Sequence, residues 1–192
     1  MLKLVSINIK SDFGFFKKPD TNNPIYLTFN MLHKPSLLGI LGAIVGAKGF
    51  RKYGEMPEYY QKLKDLKVSI APLNENGKTY HENGNFAKTV IKYNNTTGLA
   101  SEEESGNLMI IEQTLVAPAF KCWILLNLES EIEAKLYNFL KENKAEYLPY
   151  LGKNEFSLWW DNFSEYEYEP FYPSEEFQIN SLFIKEETVK EG

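Results

Sequence analysis

The first residues of the chain alternate between polar and apolar side chains. Val5, Ile7 and Ile9 fall on one side of an extended segment, and the residues between them are polar. Alternation of this kind is typical of a strand that has one face against a core. It predicts a first strand over residues 4–9.

A longer apolar run follows an extended stretch at residues 25–32. Pro35 stands where this stretch ends, and proline is favourable in the first turn of a helix because it has no N–H group to leave unpaired. The run therefore predicts a helix over residues 35–47. Because Gly42 and Gly46 lie one turn apart on the same face, we expect the helix backbone to lie very close to a sheet or to another chain.

The rest of the chain predicts more strands and a second helix. This helix begins after Ser130, which forms a capping box with Glu133, and apolar residues follow at helical spacing. Residues 94–106 are predicted to form an exposed hairpin tip. Segments with the composition of strands lie at residues 66–71, 86–93, 107–116, 120–128, 163–169 and 178–185.

The order of these elements predicts an α+β fold. The predicted order is a strand, a helix, a group of strands, a second helix and a last strand. This order matches the β-α-β-β-α-β arrangement of ferredoxin-like or RRM-like domains, here with inserted β-hairpins. We expect residues 1–192 to form a single domain, with residues 147–192 as a short irregular C-terminal extension packed on it. Since this fold hosts enzymes, small-molecule binders and RNA binders, it decides no function by itself.

Charge is distributed unevenly along the 192 residues. The formal net charge of −5 argues at first against a nucleic-acid partner. Residues 1–72, however, contain 11 lysine and arginine residues against 5 acidic ones, whereas residues 73–192 contain 10 against 21. An acidic protein can therefore present a basic face, and the first third of the chain would supply it.

Composition also indicates the compartment. The single cysteine, Cys122, cannot form an internal disulfide, which suits a reducing environment. The longest apolar run, residues 37–47, is shorter than the roughly 20 residues that span a bilayer. Residues 1–10 alternate in polarity instead of forming the apolar core of a signal peptide. We expect a cytoplasmic protein with no membrane partner.

Candidates for catalysis and metal binding are few. The glycines within residues 39–49 fit neither a Walker loop nor a Gly-x-Gly-x-x-Gly turn, so we interpret them as packing residues. His33 and His81 are the only histidines, and either has the chemistry of a general acid or base, but neither has a paired ligand at a suitable spacing. Cys122 lies in an apolar strand, where a thiol behaves as a small hydrophobe. We expect no metal and no cofactor.

Basic and aromatic residues are interleaved in two predicted loops. We call residues 13–18 the first basic segment and residues 48–53 the second basic segment; Lys34 lies between them, near the start of the predicted helix. Lysine and arginine neutralise phosphates, and exposed aromatic rings stack on unpaired bases. The alternative, which these residues leave open, is that the phenylalanines belong to the core and the lysines are merely solvated.

Several motifs resemble the Cas-five family of CRISPR-associated Cascade subunits, which belong to the repeat-associated RNA-binding superfamily. The N-terminal signature comprises Phe-Gly-Phe-Phe-Lys-Lys-Pro at residues 13–19, Tyr-Leu-Thr-Phe at 26–29 and the glycine-rich run at 34–46. Glu-Gln-Thr-Leu-Val-Ala-Pro-Ala-Phe-Lys at 112–121 and Tyr-Leu-Gly-Lys-Asn-Glu-Phe at 150–156 are similar to later motifs of the family. The chain looks closest to members of subtype I-B.

This resemblance implies a non-catalytic subunit of a type I Cascade complex in antiviral defence. Members hold the 5′ handle of the CRISPR RNA (crRNA) and contact the backbone subunit and the large subunit, and they meet target DNA only through the complex. One subtype instead cuts precursor crRNA without metal, using a Tyr, Lys and His set. Val45 stands where that tyrosine is expected, and the later region has no Lys-His pair, which favours the non-catalytic form.

Under this resemblance we assign handle binding to the two basic segments and to Lys34. Two alternatives stay open. One is a metal-independent precursor-crRNA endonuclease that uses His33 or His81. The other is a ferredoxin-like small-molecule-binding domain, which would bury residues 13–16 around an apolar pocket. The predicted phosphate contacts are Lys17, Lys18, Lys34, Lys48, Arg51 and Lys52, and the predicted stacking residues are Phe16, Phe50 and Tyr53.

Overall fold

Antiparallel strands in two sheets, together with a few helices, give the protein an α+β fold. The computed structural model describes residues 1–19, 24–73, 85–95, 108–168 and 181. The strands β3 to β6 lie within two residues of their predicted positions. In chain order the described elements are β1 (Leu2–Ser11), β2 (Phe13–Gly14), α1 (Lys34–Val45), α2 (Glu58–Leu63), β3 (Lys67–Pro72), β4 (Lys88–Asn95), β5 (Leu108–Val116), β6 (Ala119–Asn127), α3 (Glu131–Lys141) and β7 (Leu158–Tyr166).

The main sheet has four strands in the order β3-β6-β1-β7. Its strand β1 pairs antiparallel with both β6 and β7. Val5, Ile7 and Ile9 are completely buried, which confirms the first predicted strand and its core face. Ser6 on the opposite face is also buried, because the side chains of both neighbouring strands flank it.

The helices α1 and α3 cover one face of the main sheet. Leu37 and Ile44 of α1 and Leu136 and Leu140 of α3 are fully buried in one core with the apolar side of β1. Both predicted helices are therefore present, the first from its apolar run after Pro35 and the second from its apolar spacing.

The start of α3 differs from the predicted capping box. Ser130 is the N-cap residue, but its side chain makes no capping hydrogen bond, and its N–H donates to the Asn127 carbonyl oxygen. The Glu133 carboxylate instead accepts a hydrogen bond from the Asn127 N–H at 2.7 Å. The carboxylate therefore joins the helix to the end of β6.

A second sheet has three strands in the order β2-β5-β4. β4 and β5 pair antiparallel and form the arms beside the predicted hairpin tip, of which residues 96–106 lie outside the described residues. Residues 25–32, predicted as an extended stretch, do not form a regular strand. They make only isolated bridges, Lys17 with Thr28 and Tyr26 with Glu112, because their partner changes along the stretch.

The short helix α2 was not predicted and packs against α1. It has six residues, too few to show a helical apolar pattern. Gly42 permits this packing, since an added Cβ would overlap the side chain of Tyr59. The close approach expected of α1 is therefore to the helix α2, and not to a sheet or to another chain. Gly46 has a different role as the C-cap of α1, with a φ of 81° and an N–H that donates to carbonyl oxygens of the last turn.

Two glycines of α1 provide a matched test of this contact. Gly42→Ala is expected to lower the free energy of unfolding by about 1–3 kcal/mol, because α2 must shift even though alanine favours a helix. Gly39→Ala, whose Cβ would meet only Tyr59 ring atoms at 3.9 Å, is expected to raise it by up to about 1 kcal/mol. Urea denaturation followed by circular dichroism measures both, and equal effects would contradict the contact.

The strand predicted at residues 163–169 of the C-terminal extension is present but begins five residues earlier. Residues 158–166 form β7, the edge strand beside β1, so they belong to the main sheet. Tyr137 and Lys141 donate hydrogen bonds to the Glu165 carboxylate at 2.8 and 3.1 Å and hold its pKa at about 2. Apart from residue 181, the strand predicted at residues 178–185 lies outside the described residues.

Candidate nucleic-acid interface

The first basic segment pairs with the stretch that follows it. The Lys18 N–H donates to the Leu27 carbonyl oxygen at 2.8 Å. Nζ of Lys17 lies 3.7 Å from the centre of the Tyr26 ring, and Nζ of Lys18 lies 5.7 Å from the centre of the Phe29 ring. Both rings are 37% exposed, so each lysine lies beside an accessible aromatic ring.

Phe16 of the same segment faces the core. It is 3% exposed, and its ring centre lies 6.4 Å from that of Phe120 and 5.6 Å from that of His33. A buried ring is not available to stack on a base, so this position does not agree with the role predicted for Phe16. Tyr26 and Phe29, which the sequence analysis left unassigned, are the exposed rings beside the predicted lysines.

His33 and Lys34 lie at the N-terminal end of α1. His33 is the N-cap residue, and its Nδ1 accepts a hydrogen bond from the Ser36 N–H at 3.3 Å. Its ring also packs edge-on against that of Phe29. These contacts give His33 a structural role, while Lys34, in the first turn, stays partly exposed. His81 lies outside the described residues.

The second basic segment begins just after α1 ends and has no regular secondary structure. The Lys48 N–H donates to the Glu58 carboxylate at 3.0 Å, which fixes the start of the segment to α2. Beyond this point Phe50 is 71% exposed and Tyr53 is fully exposed. Both rings are accessible, as the predicted stacking requires.

Most of the predicted phosphate contacts form no side-chain ion pair with an acidic residue in the described ranges. Lys52 forms an ion pair with Glu55 at 3.4 Å, and both side chains are largely exposed. Exposed pairs of this kind are worth only about 0–1 kcal/mol, so Lys52 can exchange its partner. The other five form no ion pair within the part of the chain that the structure describes: Lys17, Lys18, Lys34, Lys48 and Arg51.

A groove runs along α1 between the two basic segments. Its cavity of about 560 Å³ is lined by Phe16 of the first segment, Phe50 of the second, and Tyr59, Tyr147 and Tyr150. Burial, together with the neighbouring Tyr150, raises the pKa of Tyr59. Because α1 has 12 residues, it is about 18 Å long. The groove therefore joins aromatic residues of the two basic segments in one apolar and aromatic lining.

One wall of the groove is attached to the end of α1. The Glu146 N–H donates to the Ile44 carbonyl oxygen at 3.0 Å, and the Tyr147 N–H donates to that of Ala43 at 3.1 Å. The last carbonyl groups of a helix have no partner within it, and these bonds satisfy two of them.

Gly152 brings a later loop against the first basic segment. The Phe15 N–H donates to the Leu151 carbonyl oxygen at 3.1 Å. Gly152 has a φ of 90°, and an added Cβ would overlap the Phe15 carbonyl oxygen. The glycine in the Tyr-Leu-Gly motif is therefore required by the backbone on which it packs.

Lys153 forms a partly buried ion pair with Glu112 of β5, which no sequence motif predicted. Nζ of Lys153 lies 2.6 Å from Oε2 of Glu112, and Glu112 is 5% exposed. Burial acts to lower the pKa of Lys153, but the hydrogen bond and the charge of Glu112 outweigh it, so the pKa is raised. The one sequence signal of this ion pair is the position of Glu112 within a largely apolar strand.

The described residues contain little other reactive chemistry. No three histidine, cysteine or acidic side chains among them are grouped so as to hold a metal ion. Cys122 is fully buried, and burial raises the pKa of its thiol, which makes it a poor nucleophile. None of the described helices is long and apolar enough to cross a membrane.

Known proteins resemble this chain in structure but not detectably in sequence. No protein-family model matches it, and no curated protein sequence matches it either.

The solved structures that match this chain include CRISPR-associated proteins. A chain of a CRISPR RNA-guided surveillance complex has a TM-score of 0.53 at 13% identity, over 79% of this chain and 58% of that one. A Cas protein crystal structure has a TM-score of 0.44 at 12% identity, over 79% and 57%. A chain of a type IV-B CRISPR complex has 0.40 at 11% identity, over 92% and 96%. This chain thus spans less than two thirds of the length of the first two of these structures. It shares its fold with a chain of a CRISPR RNA-guided surveillance complex.

Proposed function

We propose that this protein is the non-catalytic crRNA-binding subunit of a type I CRISPR Cascade complex, of subtype I-B, and that it holds the 5′ handle of the crRNA. The observation that carries the proposal is the groove along α1, to which the first basic segment contributes Phe16 and the second contributes Phe50. Most cations of the two segments form no ion pair among the described residues. The fold shared with a chain of a surveillance complex supports it.

A ferredoxin-like core is part of the proposal. In the main sheet α1 separates β1 from β3, and α3 separates β6 from β7, which gives a β-α-β-β-α-β order. The first and third of these strands, β1 and β6, lie at the centre of the sheet. β4 and β5 then form a hairpin inserted between the second and third strands, as the resemblance to the Cas-five family implies.

The two basic segments would bind the handle in a way that suits an unpaired strand. Their lysines and Arg51 neutralise phosphates without reading the sequence. Phe50 and Tyr53 at one end, and Tyr26 and Phe29 at the other, offer ring faces for unpaired bases. The groove between them keeps the strand against α1.

The proposed partners are the backbone and large subunits of Cascade, with target DNA reached only through the complex and with the cytoplasm as the site of action. Tyr147 is 56% exposed and Leu148 75% exposed, and both line the groove. Apolar side chains exposed together are typical of protein contact surfaces.

The catalytic alternative is a metal-independent endonuclease with His33 or His81 as acid or base. The capping bond of His33 supports the non-catalytic proposal, since it engages Nδ1. Incubating the protein with a precursor repeat hairpin in EDTA is expected to leave the RNA intact. Discrete products that disappear in His33→Ala or His81→Ala would favour the endonuclease.

The groove also supports a second candidate, a small-molecule-binding domain. Its volume of about 560 Å³ is typical of such sites. Of residues 13–16, which this alternative expects around an apolar pocket, Phe16 lines the groove and Phe13 is 37% exposed. The cations on both sides favour RNA. A folded protein that does not bind handle RNA would favour the small-molecule candidate.

Removing three cations of the second basic segment tests the proposed function. Lys48→Ala, Arg51→Ala and Lys52→Ala together are expected to weaken binding of handle RNA about ten-fold or more at moderate salt and to reduce the salt slope by about 2, since each phosphate contact on a single strand contributes about 0.7. Filter binding over a range of salt concentrations measures both quantities.

Lys64, Lys92 and Lys144 replaced together by alanine are the matched control, because they remove the same charge elsewhere on the surface. This control is expected to keep most of the affinity. Equal affinity for handle and scrambled RNA, unchanged by the first triple variant, would overturn the proposed function.

A further inference from the structure

The main sheet has a second face, opposite α1 and α3, which we call the outer face. Its residues alternate along each strand with the core residues, so Ser6 of β1 belongs to it. In the strand register Ser6 lies opposite Trp123, and Asn8 lies opposite Lys121. The Tyr166 hydroxyl lies 3.0 Å from Oγ of Ser6, which places Tyr166 on the same face.

Lys121 lies beside two aromatic rings on the outer face. Its Nζ is 5.1 Å from the centre of the Trp123 ring and 5.9 Å from the centre of the Tyr166 ring. The hydrogen bond with Ser6 and the nearby Lys121 ammonium outweigh the effect of burial and lower the pKa of the Tyr166 hydroxyl. Trp123 is partly exposed and Tyr166 is 38% exposed, so two rings and a cation are accessible together.

The outer face is basic, although the whole chain has a net charge of −5. The register places Lys10, Lys67 and Lys121 on it, with Asp161 as an acidic neighbour. Asp161 forms an ion pair with Lys10 at 2.8 Å. Lys67 and Lys121 form no ion pair within the described ranges and are available to an anionic partner.

The position of Lys121 favours a nucleic-acid partner over a protein partner. Lysine is depleted from the centres of protein interfaces, where charge is costly to bury. A cation beside aromatic rings is instead the usual arrangement on surfaces that bind unpaired nucleic acid. Four-stranded sheets of RNA-binding domains carry such rings on their exposed face, and Trp123 lies on the central strand β6.

We propose that the outer face is a second binding surface for single-stranded RNA, in addition to the groove along α1. Bases stack on Trp123 and Tyr166, and Lys121 and Lys67 neutralise the neighbouring phosphates. This inference rests on the proposed RNA-binding function and extends it to a surface that the basic segments do not reach.

The two surfaces are close to each other along the chain. The first basic segment starts two residues after β1 ends at Ser11, next to Lys10 of the outer face. A strand of RNA bound to Lys17 and Lys18 can therefore continue around this end of β1 towards Lys121.

Photo-crosslinking of the wild-type protein tests the proposal without any substitution. A short oligouridylate is irradiated with the full chain, and the linked peptides are mapped by mass spectrometry. Links at Trp123 or Tyr166 are expected, besides links at Phe50, Tyr53, Tyr26 or Phe29. Links confined to the latter four residues would overturn the proposal.

Lys121→Ala and Trp123→Leu provide the second measurement. Each is expected to weaken oligouridylate binding on the order of 10-fold, the effect of losing one stacked base or its neighbouring cation. Lys92→Ala, which removes an exposed lysine from β4, is expected to bind as the wild type does. Lys121→Ala leaves the core intact, so it stays informative if Trp123→Leu is unstable.

The outcomes distinguish this inference from the proposed function. Unchanged binding by Lys121→Ala, with weakened binding by the triple variant of the second basic segment, overturns the outer-face site alone. Unchanged binding by both variants overturns both.

Discussion

Gly152→Ala is expected to lower the free energy of unfolding by about 3 kcal/mol or more. The residue has a φ of 90°, which side chains with a Cβ rarely adopt, and the added Cβ would overlap the Phe15 carbonyl oxygen. A backbone atom cannot rotate away, so the loop after Tyr150 must separate from the first basic segment. Urea denaturation followed by circular dichroism measures the loss.

Gly49→Ala is the matched control for this substitution. A Cβ at Gly49 would meet nothing within 4 Å, and its φ lies outside the left-handed region. We expect a change below about 0.5 kcal/mol, as for most surface substitutions. A Gly152→Ala protein as stable as this control would contradict the close packing on Phe15.

Lys153→Met is expected to lower the free energy of unfolding by about 3 kcal/mol, because it leaves the buried carboxylate of Glu112 without its partner. Glu112 is 5% exposed and lies 2.6 Å from Nζ of Lys153. Methionine has a similar length, so the lost charge rather than a cavity accounts for the effect. Chemical denaturation at neutral pH measures it.

A second substitution tests whether the ion pair is the cause. Glu112→Leu combined with Lys153→Met is expected to recover most of the stability, since apolar residues of similar volume often replace a buried pair at little net cost. If Lys153→Met alone is as stable as the wild type, the carboxylate is hydrated and the proposed burial of the pair is wrong.

Local periodicity was sufficient to predict most of the regular elements. The alternation at Val5, Ile7 and Ile9 indicated a strand with a core face, and that face is completely buried. The spacing of Leu136 and Leu140 likewise indicated the buried side of α3. In each case the signal depends on which residues face the core, and this information lies within one element.

The features that escaped prediction depend on partners distant in sequence. The capping box expected at Ser130 is replaced by a hydrogen bond that the Asn127 N–H, at the end of β6, donates to the Glu133 carboxylate. Gly152 and Phe15 are far apart along the chain, and so are Lys153 and Glu112. No local sequence pattern indicates which of these residues come into contact.

The candidate site was predicted in part. The sequence indicated that the two basic segments mix cations and rings, and the structure joins them through a groove along α1. The sequence could not indicate that Phe16 faces the core while Tyr26 and Phe29 stay partly exposed. That choice depends on the bridge between Lys17 and Thr28, which is made only in the folded chain.

The hydrogen bonds from Glu146 and Tyr147 to the last turn of α1 have a consequence for the cost of binding. They hold one wall of the groove in its final position before any ligand arrives. Ordering a loop upon association lowers affinity through lost conformational entropy, and a wall fixed during folding avoids that loss. A ligand entering the groove therefore meets a preorganised surface, and the entropy that remains to be lost belongs mainly to the ligand and to the exposed rings of the second basic segment.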